Sequence, residues 1–231
     1  MGIRVRLGSL LSAVGLAVCT VACGSAAAVE PAGERMKQIV YIEASTGRAW
    51  KLDQFPQRTG LSQVAIQFIP VYDFDKAAAV AKALGASAPN KPAVVVIQEC
   101  SAYFPGPLDE YKKMYRGWIQ QVKSAGVMPV IATTVPPAAP NGLWQRTKQA
   151  IKIHVLGRQS QYEQIAQFND WLRQEAKQEG VKILDLELAL RRSETDRSMN
   201  DAYDAGDGTH LNGQAYQLLD GLFAQLVKDI R

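Results

Sequence analysis

The sequence contains two histidines, His154 and His210, so any mechanism that moves a proton through imidazole has only these to draw on. His210 stands in the run Asp207-Gly208-Thr209-His210-Leu211-Asn212, with Gly206 and Gly208 favouring a turn. An Asp three residues before a His on one turn can accept the imidazole Nδ1 proton, which fixes the tautomer and leaves Nε2 facing a nucleophile. His154 lies among Ile151, Ile153, Val155 and Leu156, a packing environment rather than a ligating one. No metal site and no other cofactor are expected.

A nucleophile for such a base can come from Ser45, which follows the apolar run Val40-Tyr41-Ile42 and precedes Thr46 and Gly47. A serine hydroxyl is nearly inert until a base removes its proton, and a turn from strand to helix exposes it beside backbone N–H groups. The plainer alternative is that Ser45 caps a short helix. Two carboxylates, Glu43 and Glu99, each follow an apolar run; they could serve as a glycosidase pair, or one could bind a hydroxylated substrate. Cys100, beside a buried strand and with Glu99 as its charged neighbour, reads as an inert thiol. Trp50, Phe55, Tyr103, Phe104 and Trp144 flank these loops and could stack on sugar rings, although most aromatics in such a domain pack a core.

The elements that must position these groups follow from apolar patterning. Short buried strands are expected at Gln38 to Ile42, Gln63 to Ile69, Ala93 to Ile97, Val127 to Thr133 and Val181 to Leu184. Leu108, Tyr111, Tyr115, Trp118 and Val122 recur at helical spacing, as do Ile165, Phe168 and Leu172. A last helix carries Ala215, Leu219, Leu222, Leu226 and Ile230, with Asn212 placed to cap it. Strands separated by helices imply parallel pairing, because each return to the same sheet edge needs a crossover. The expectation is a three-layer α/β/α sandwich, flavodoxin-like, around a five-stranded parallel sheet. In such sheets ligands gather beyond the carboxyl ends of the strands, where Ser45, Glu99 and Thr133 fall.

The 231 residues, 47% hydrophobic and 21% charged with a formal charge of +4, suit one well-buried domain and carry no block of charge that suggests nucleic acid. Residues 1–22 stand apart: Arg4 and Arg6 precede an uncharged run from Leu7 to Val21, too short to span a membrane, which reads as a signal peptide. Ala22-Cys23-Gly24-Ser25 resembles a bacterial lipobox, which makes Cys23 the expected lipidation site; Cys19 is a weaker competitor and ordinary cleavage near Ala26 to Ala28 the alternative. Residues 23–36, rich in Ala, Gly, Pro and Glu, then form a tether, and residues 37–231 the domain. The expected location is the bacterial envelope, lipid-anchored and facing the periplasm. Cys100 is left without an intramolecular partner in the mature domain.

The Asp207-x-x-His210 pair ahead of a terminal amphipathic helix resembles the last conserved block of the SGNH, or GDSL-like, serine hydrolases. The run Glu43-Ala44-Ser45 resembles the same family's Gly-Asp-Ser block, with Glu43 and Ala44 in place of Gly and Asp. After the third strand, Gln98-Glu99-Cys100-Ser101 occupies the place of the family's Gly-x-Asn-Asp block, which aligns Ser101 with the asparagine that holds the oxyanion. The family's glycine after the second strand has no counterpart in Phe68-Ile69-Pro70-Val71.

The resemblance implies a catalytic triad of Ser45, Asp207 and His210, with Ser101 and Glu99 on the oxyanion and substrate side. It implies ester hydrolysis through an acyl-enzyme, and export suggests a small acyl ester or acylated envelope glycan as substrate. The altered oxyanion blocks support the rival expectation, a catalytically impaired member that binds a glycan or an envelope partner. Nucleotide binding is disfavoured, because neither G-x-G-x-x-G nor G-x-x-x-x-G-K-[ST] follows any strand.

Overall fold

A computed structural model describes Gly2 and residues 36–86, 91–139 and 160–230. Apart from Gly2, the residues read as leader and tether up to residue 35, Cys23 among them, lie outside the described residues, as do Trp144 and His154.

Five strands form one sheet: β1 (Lys37–Glu43), β2 (Val64–Pro70), β3 (Val94–Gln98), β4 (Met128–Ala132) and β5 (Lys182–Leu184). All neighbours are parallel, in the order β2-β1-β3-β4-β5. The expected strands stand within a residue or two of these bounds. Strands buried on both faces need unbroken apolar runs, and parallel sheets covered by helices impose that condition. Accordingly Ile39, Tyr41, Val94 and Val96 enter one core while Val40, Ile42, Val95 and Ile97 enter the other.

Helices α1 (Ser45–Ala49) and α2 (Phe55–Thr59) link β1 to β2, α3 (Ala77–Leu84) links β2 to β3, and α4 (Leu108–Ser124) links β3 to β4. Helix α5 (Gln161–Glu179) precedes β5, and α6 (Leu186–Leu190) and α7 (Gly213–Asp229) follow it. One face is covered from α2, α6 and α7 by Phe55, Leu186, Leu190, Leu219 and Phe223. The other is covered from α3, α4 and α5 by Val80, Tyr115, Ile119, Phe168 and Leu172. The result is the three-layer sandwich anticipated from the sequence. Helix α7 begins as its sequence suggests, with the Asn212 side chain accepting a hydrogen bond from the Ala215 N–H.

Starting from β1, the chain goes first to the sheet edge at β2 and then back past β1 to β3. The strand order therefore reverses direction between β1 and β3, and the crevice beyond the carboxyl ends of such a pair is where open α/β sheets receive ligands. Ile42 pairs with Ile97, so the loops bearing Ser45 and Cys100 leave the sheet side by side.

Close packing shapes the turn after β1. A Cβ on Gly47 would lie 2.4 Å from the Phe68 ring on β2 and 3.1 Å from Leu52. Gly47→Ala is therefore expected to destabilise the protein by about 1–3 kcal/mol through overpacking, read by denaturant unfolding. Adding Phe68→Leu should recover part of that loss, and no recovery would place the strain elsewhere.

Candidate active site

Ser45 is the first residue of α1 and is half-buried. It does not cap that helix: no side-chain cap is present at its N-terminus. Glu43 supplies the missing acceptor, because its fully buried carboxylate takes the Gly47 N–H at 2.7 Å. Burial pushes the Glu43 carboxyl up from its ordinary value, opposed by the Gly47 and Ala44 N–H groups, Lys76 and the Thr46 hydroxyl. Glu43 is thus turned into the protein, and its carboxylate braces the turn that carries Ser45.

Beside it, the Cys100 thiol lies against the Ser45 side chain and the Ala102 N–H, and burial raises it from its usual thiol range. Ser101 opens a single 3₁₀ turn, Ser101–Tyr103, and its carbonyl accepts from the Gln161 amide at 2.7 Å. Glu99 is fully buried and bonds the equally buried Lys76 ammonium at 2.5 Å. Desolvation pushes Glu99 up to about 8 despite the pull of Lys76. With Glu43 and Glu99 both 0% exposed, neither presents a carboxylate to solvent as a glycosidase pair must.

Asp207 and His210 lie on the loop before α7. Asp207 Oδ2 and His210 Nδ1 are 2.6 Å apart, the pairing that the spacing suggests. Asp207 Oδ1 also accepts the backbone N–H groups of His210 and Thr209. The His210 N–H, the imidazole and the Thr209 N–H, in that order, hold Asp207 well below the usual carboxylate range. The loop is fixed by its own backbone. Gly206 and Gly208 take positive φ values of 102° and 75°, and both donate their N–H groups to Asp204 Oδ1. Ala205 donates to the His210 carbonyl, and buried Leu211 anchors the end. The His210 side chain is 50% exposed.

The two halves meet through α7. Trp50, just after α1, stacks on Tyr216 at 6.5 Å and donates Nε1 to Asp220 at 2.7 Å. Tyr216 feels the charge of both Glu43 and Asp207, and burial together with these carboxylates pushes its phenol up to about 12. The structure thus brings Ser45 to Cys100 and Asp207 to His210. No hydrogen bond joins Ser45 to His210 among the described residues, where His210 Nδ1 is engaged by Asp207.

Of the aromatics considered for sugar stacking, Trp50, Phe55 and Phe104 are core residues, while Tyr103 is half-buried. A residue missed by sequence reasoning is Tyr72, 60% exposed after β2, with the Arg48 guanidinium 5.5 Å from its ring centre. Lys76 was equally hidden, since no local pattern marks a lysine as buried.

No family model matches the chain, and no curated protein matches it. Solved structures do. A GDSL-like lipase from Bacteroides thetaiotaomicron is similar at 17% identity and a TM-score of 0.63, with 85% of this chain and 90% of that one covered. A catalytic mutant of an acetylxylan esterase from Geobacillus stearothermophilus is similar at 13% identity and a TM-score of 0.58, covering 83% and 94%. A psychrotrophic esterase from a Pseudoalteromonas species, inhibited by monoethylphosphonate, is similar at 12% identity and a TM-score of 0.55, covering 84% and 97%.

The buried Glu99 carries a pH signature. Its carboxyl is raised from 4.5 to about 8 on folding, so the folded state holds a proton that the unfolded chain releases, and stability falls as pH rises through that interval. Thermal melts of the native protein are expected to lose several degrees between about pH 5 and pH 8, and those of Glu99→Gln to lose less; equal slopes would remove Glu99 as the source. The architecture in which all this sits, a five-stranded parallel sheet between two helical layers, is the fold of the SGNH, or GDSL-like, hydrolases.

Proposed function

We propose that this protein is a serine ester hydrolase. The observation that carries the reading is the Asp207–His210 pair at 2.6 Å, set on the loop that leads into the helix packed against the segment following Ser45. His210 Nε2 takes the Ser45 Oγ proton as Oγ attacks the acyl carbonyl, and the bond to the leaving alcohol breaks as His210 returns that proton to it. Water, deprotonated in turn by His210, then attacks the acyl carbon, and the bond to Ser45 Oγ breaks as His210 returns that proton to Oγ, releasing the carboxylic acid. Asp207 holds the tautomer and stabilises the imidazolium. Catalytic hydrogen bonds are often loose without substrate and tighten in the Michaelis complex, which accounts for Ser45 resting against Cys100. Ser101, at the place of the family's asparagine, is the proposed side-chain donor to the oxyanion. Glu99 supports this loop from beneath.

For the substrate, a small acyl group on a carbohydrate is favoured. One structural neighbour is an acetylxylan esterase, and a leader of the kind seen here would deliver the chain to envelope glycans. Exposed Tyr72 offers a ring for a sugar to stack on. A second reading, a noncatalytic glycan-binding member of the fold, is favoured by the contact of Ser45 with Cys100 rather than with His210.

Hydrolysis of a small activated acetyl ester separates the two. Turnover is expected, with Ser45→Ala and His210→Ala each losing at least about 10³-fold and Asp207→Asn losing a comparable factor through the wrong tautomer. Turnover indifferent to these changes, or absent from folded protein, would support the binding reading. The proposed anchor at Cys23 has its own check: labelled fatty acid should enter the protein in bacterial cells and be lost on Cys23→Ala.

A further inference from the structure

The loops after β2 and β3 flank the Ser45 turn, and each lacks the residue by which the SGNH family is expected to shape its oxyanion site there. Something else must fix their geometry. The loop after β2 is tied to the serine's strand at its near end, where the Val71 N–H donates to the Glu43 carbonyl at 2.9 Å. At its far end stands Lys76, 0% exposed. The Lys76 ammonium donates to the carbonyls of Asp73 at 3.2 Å and Phe74 at 3.4 Å, within its own loop. Its third contact crosses to the other loop, to Glu99 Oε2 at 2.5 Å.

Rings seal the join. The ammonium lies 5.7 Å from the Phe74 ring centre and 5.5 Å from that of Tyr103, while the Tyr103 hydroxyl returns to the Val71 carbonyl at 3.4 Å. Glu99 immediately precedes Cys100, whose thiol touches Ser45. A continuous path therefore runs from the loop after β2, through Lys76 and Glu99, to the nucleophile.

A buried Lys–Glu pair is a poor source of net stability, because desolvating the two groups offsets their attraction, and an apolar pair of similar volume often serves as well or better. What such a pair provides is a unique arrangement: the Lys76 ammonium must donate to both carbonyls and to Glu99 Oε2 at once, whether or not Glu99 also holds a proton. We propose that Lys76 and Glu99 form a positioning pair that locks the loop after β2 to the loop after β3 and so sets the walls around Ser45. Neither residue touches substrate; both act through the loops they join. The role of the pair in turnover rests on the hydrolase reading above.

The test is the double variant Lys76→Met/Glu99→Leu, made in the full chain. It is expected to melt close to the native protein, because the replaced pair remains buried and of similar volume. Its kcat on the activated acetyl ester should fall by about 10²-fold, the cost of a small misplacement at a reacting centre, while KM stays within about threefold of native. Native kcat in the folded double variant would overturn the proposal. If that variant does not fold, Lys76→Gln/Glu99→Gln, which keeps one hydrogen bond, should lose about tenfold in kcat, and native turnover there would equally overturn it. Amide hydrogen exchange separates this proposal from the hydrolase reading. Even in a protein with no Ser45-dependent turnover, exchange across residues 71–76 and 99–103 should be at least about tenfold faster in the double variant, with β1 and β3 unchanged. Native exchange in both loops would overturn the pair's positioning role whatever the activity.

Discussion

Parallel pairing of β1 with β3, from Ile39 opposite Val94 to Ile42 opposite Ile97, is the constraint on which the rest of the molecule hangs. Because the chain visits β2 between these two strands, their carboxyl ends open onto a crevice that no crossover fills. Ser45 leaves one strand and Cys100 the other, so residues 55 apart in sequence become neighbours. A slip of one residue between the strands would send either Tyr41 or its partner Val96 into the opposite core and shift the two loops apart. Register and site are therefore specified by the same apolar contacts.

Buried polar groups gather at this end of the sheet. Glu43, Gln98, Glu99, Thr133 and Thr134 all sit at or just beyond strand ends with no exposed surface. Some are well satisfied: Gln98 Oε1 accepts the Tyr41 hydroxyl at 2.6 Å, and Asn169 clasps both the N–H and the carbonyl of Thr134. Others are not, since Glu43 Oε1, Gln98 Nε2 and Glu99 Oε1 have no hydrogen-bond partner among the described residues. Unpaired buried polar atoms cost stability, and proteins accept that cost chiefly where function asks for it. These three atoms stand at or just beyond the carboxyl ends of β1 and β3, the strands that lead to Ser45 and Cys100.

Much of the architecture was legible in the sequence because it is written locally. Five apolar runs sized for buried strands, two long amphipathic segments and Asn212 at a helix start each declare themselves within a dozen residues. The Asp207-x-x-His210 spacing also closes within one turn, and the structure joins the two side chains. What the sequence left hidden depends on contacts across the chain. The burial of Lys76 requires Glu99, 23 residues away; the inward turn of Glu43 requires the N–H groups of a helix too short to have a period of its own. Helix α3, eight residues long and alanine-rich, was also missed, because so short a segment shows barely two turns of apolar spacing. The bracing of the Ser45 turn by Glu43 could be read only once the turn was seen in three dimensions.

Helix α7 has a consequence for biosynthesis. Phe223 on this helix packs against Tyr41, Trp50 and Phe55 with ring centres 5.8, 5.8 and 4.8 Å away, and Asp220 receives both Trp50 and the Arg58 guanidinium. These partners all come from the first strand and the helices after it, yet α7 leaves the ribosome after every other element described. Until it arrives, an aromatic face at the start of the chain stays open to solvent, a surface that chaperones recognise and on which unfinished chains aggregate. The same docking event that covers this face brings the His210 loop into place. The Asp207–His210 pair is thus set in place no earlier than this face is closed, and chains that stall before α7 keep the face open.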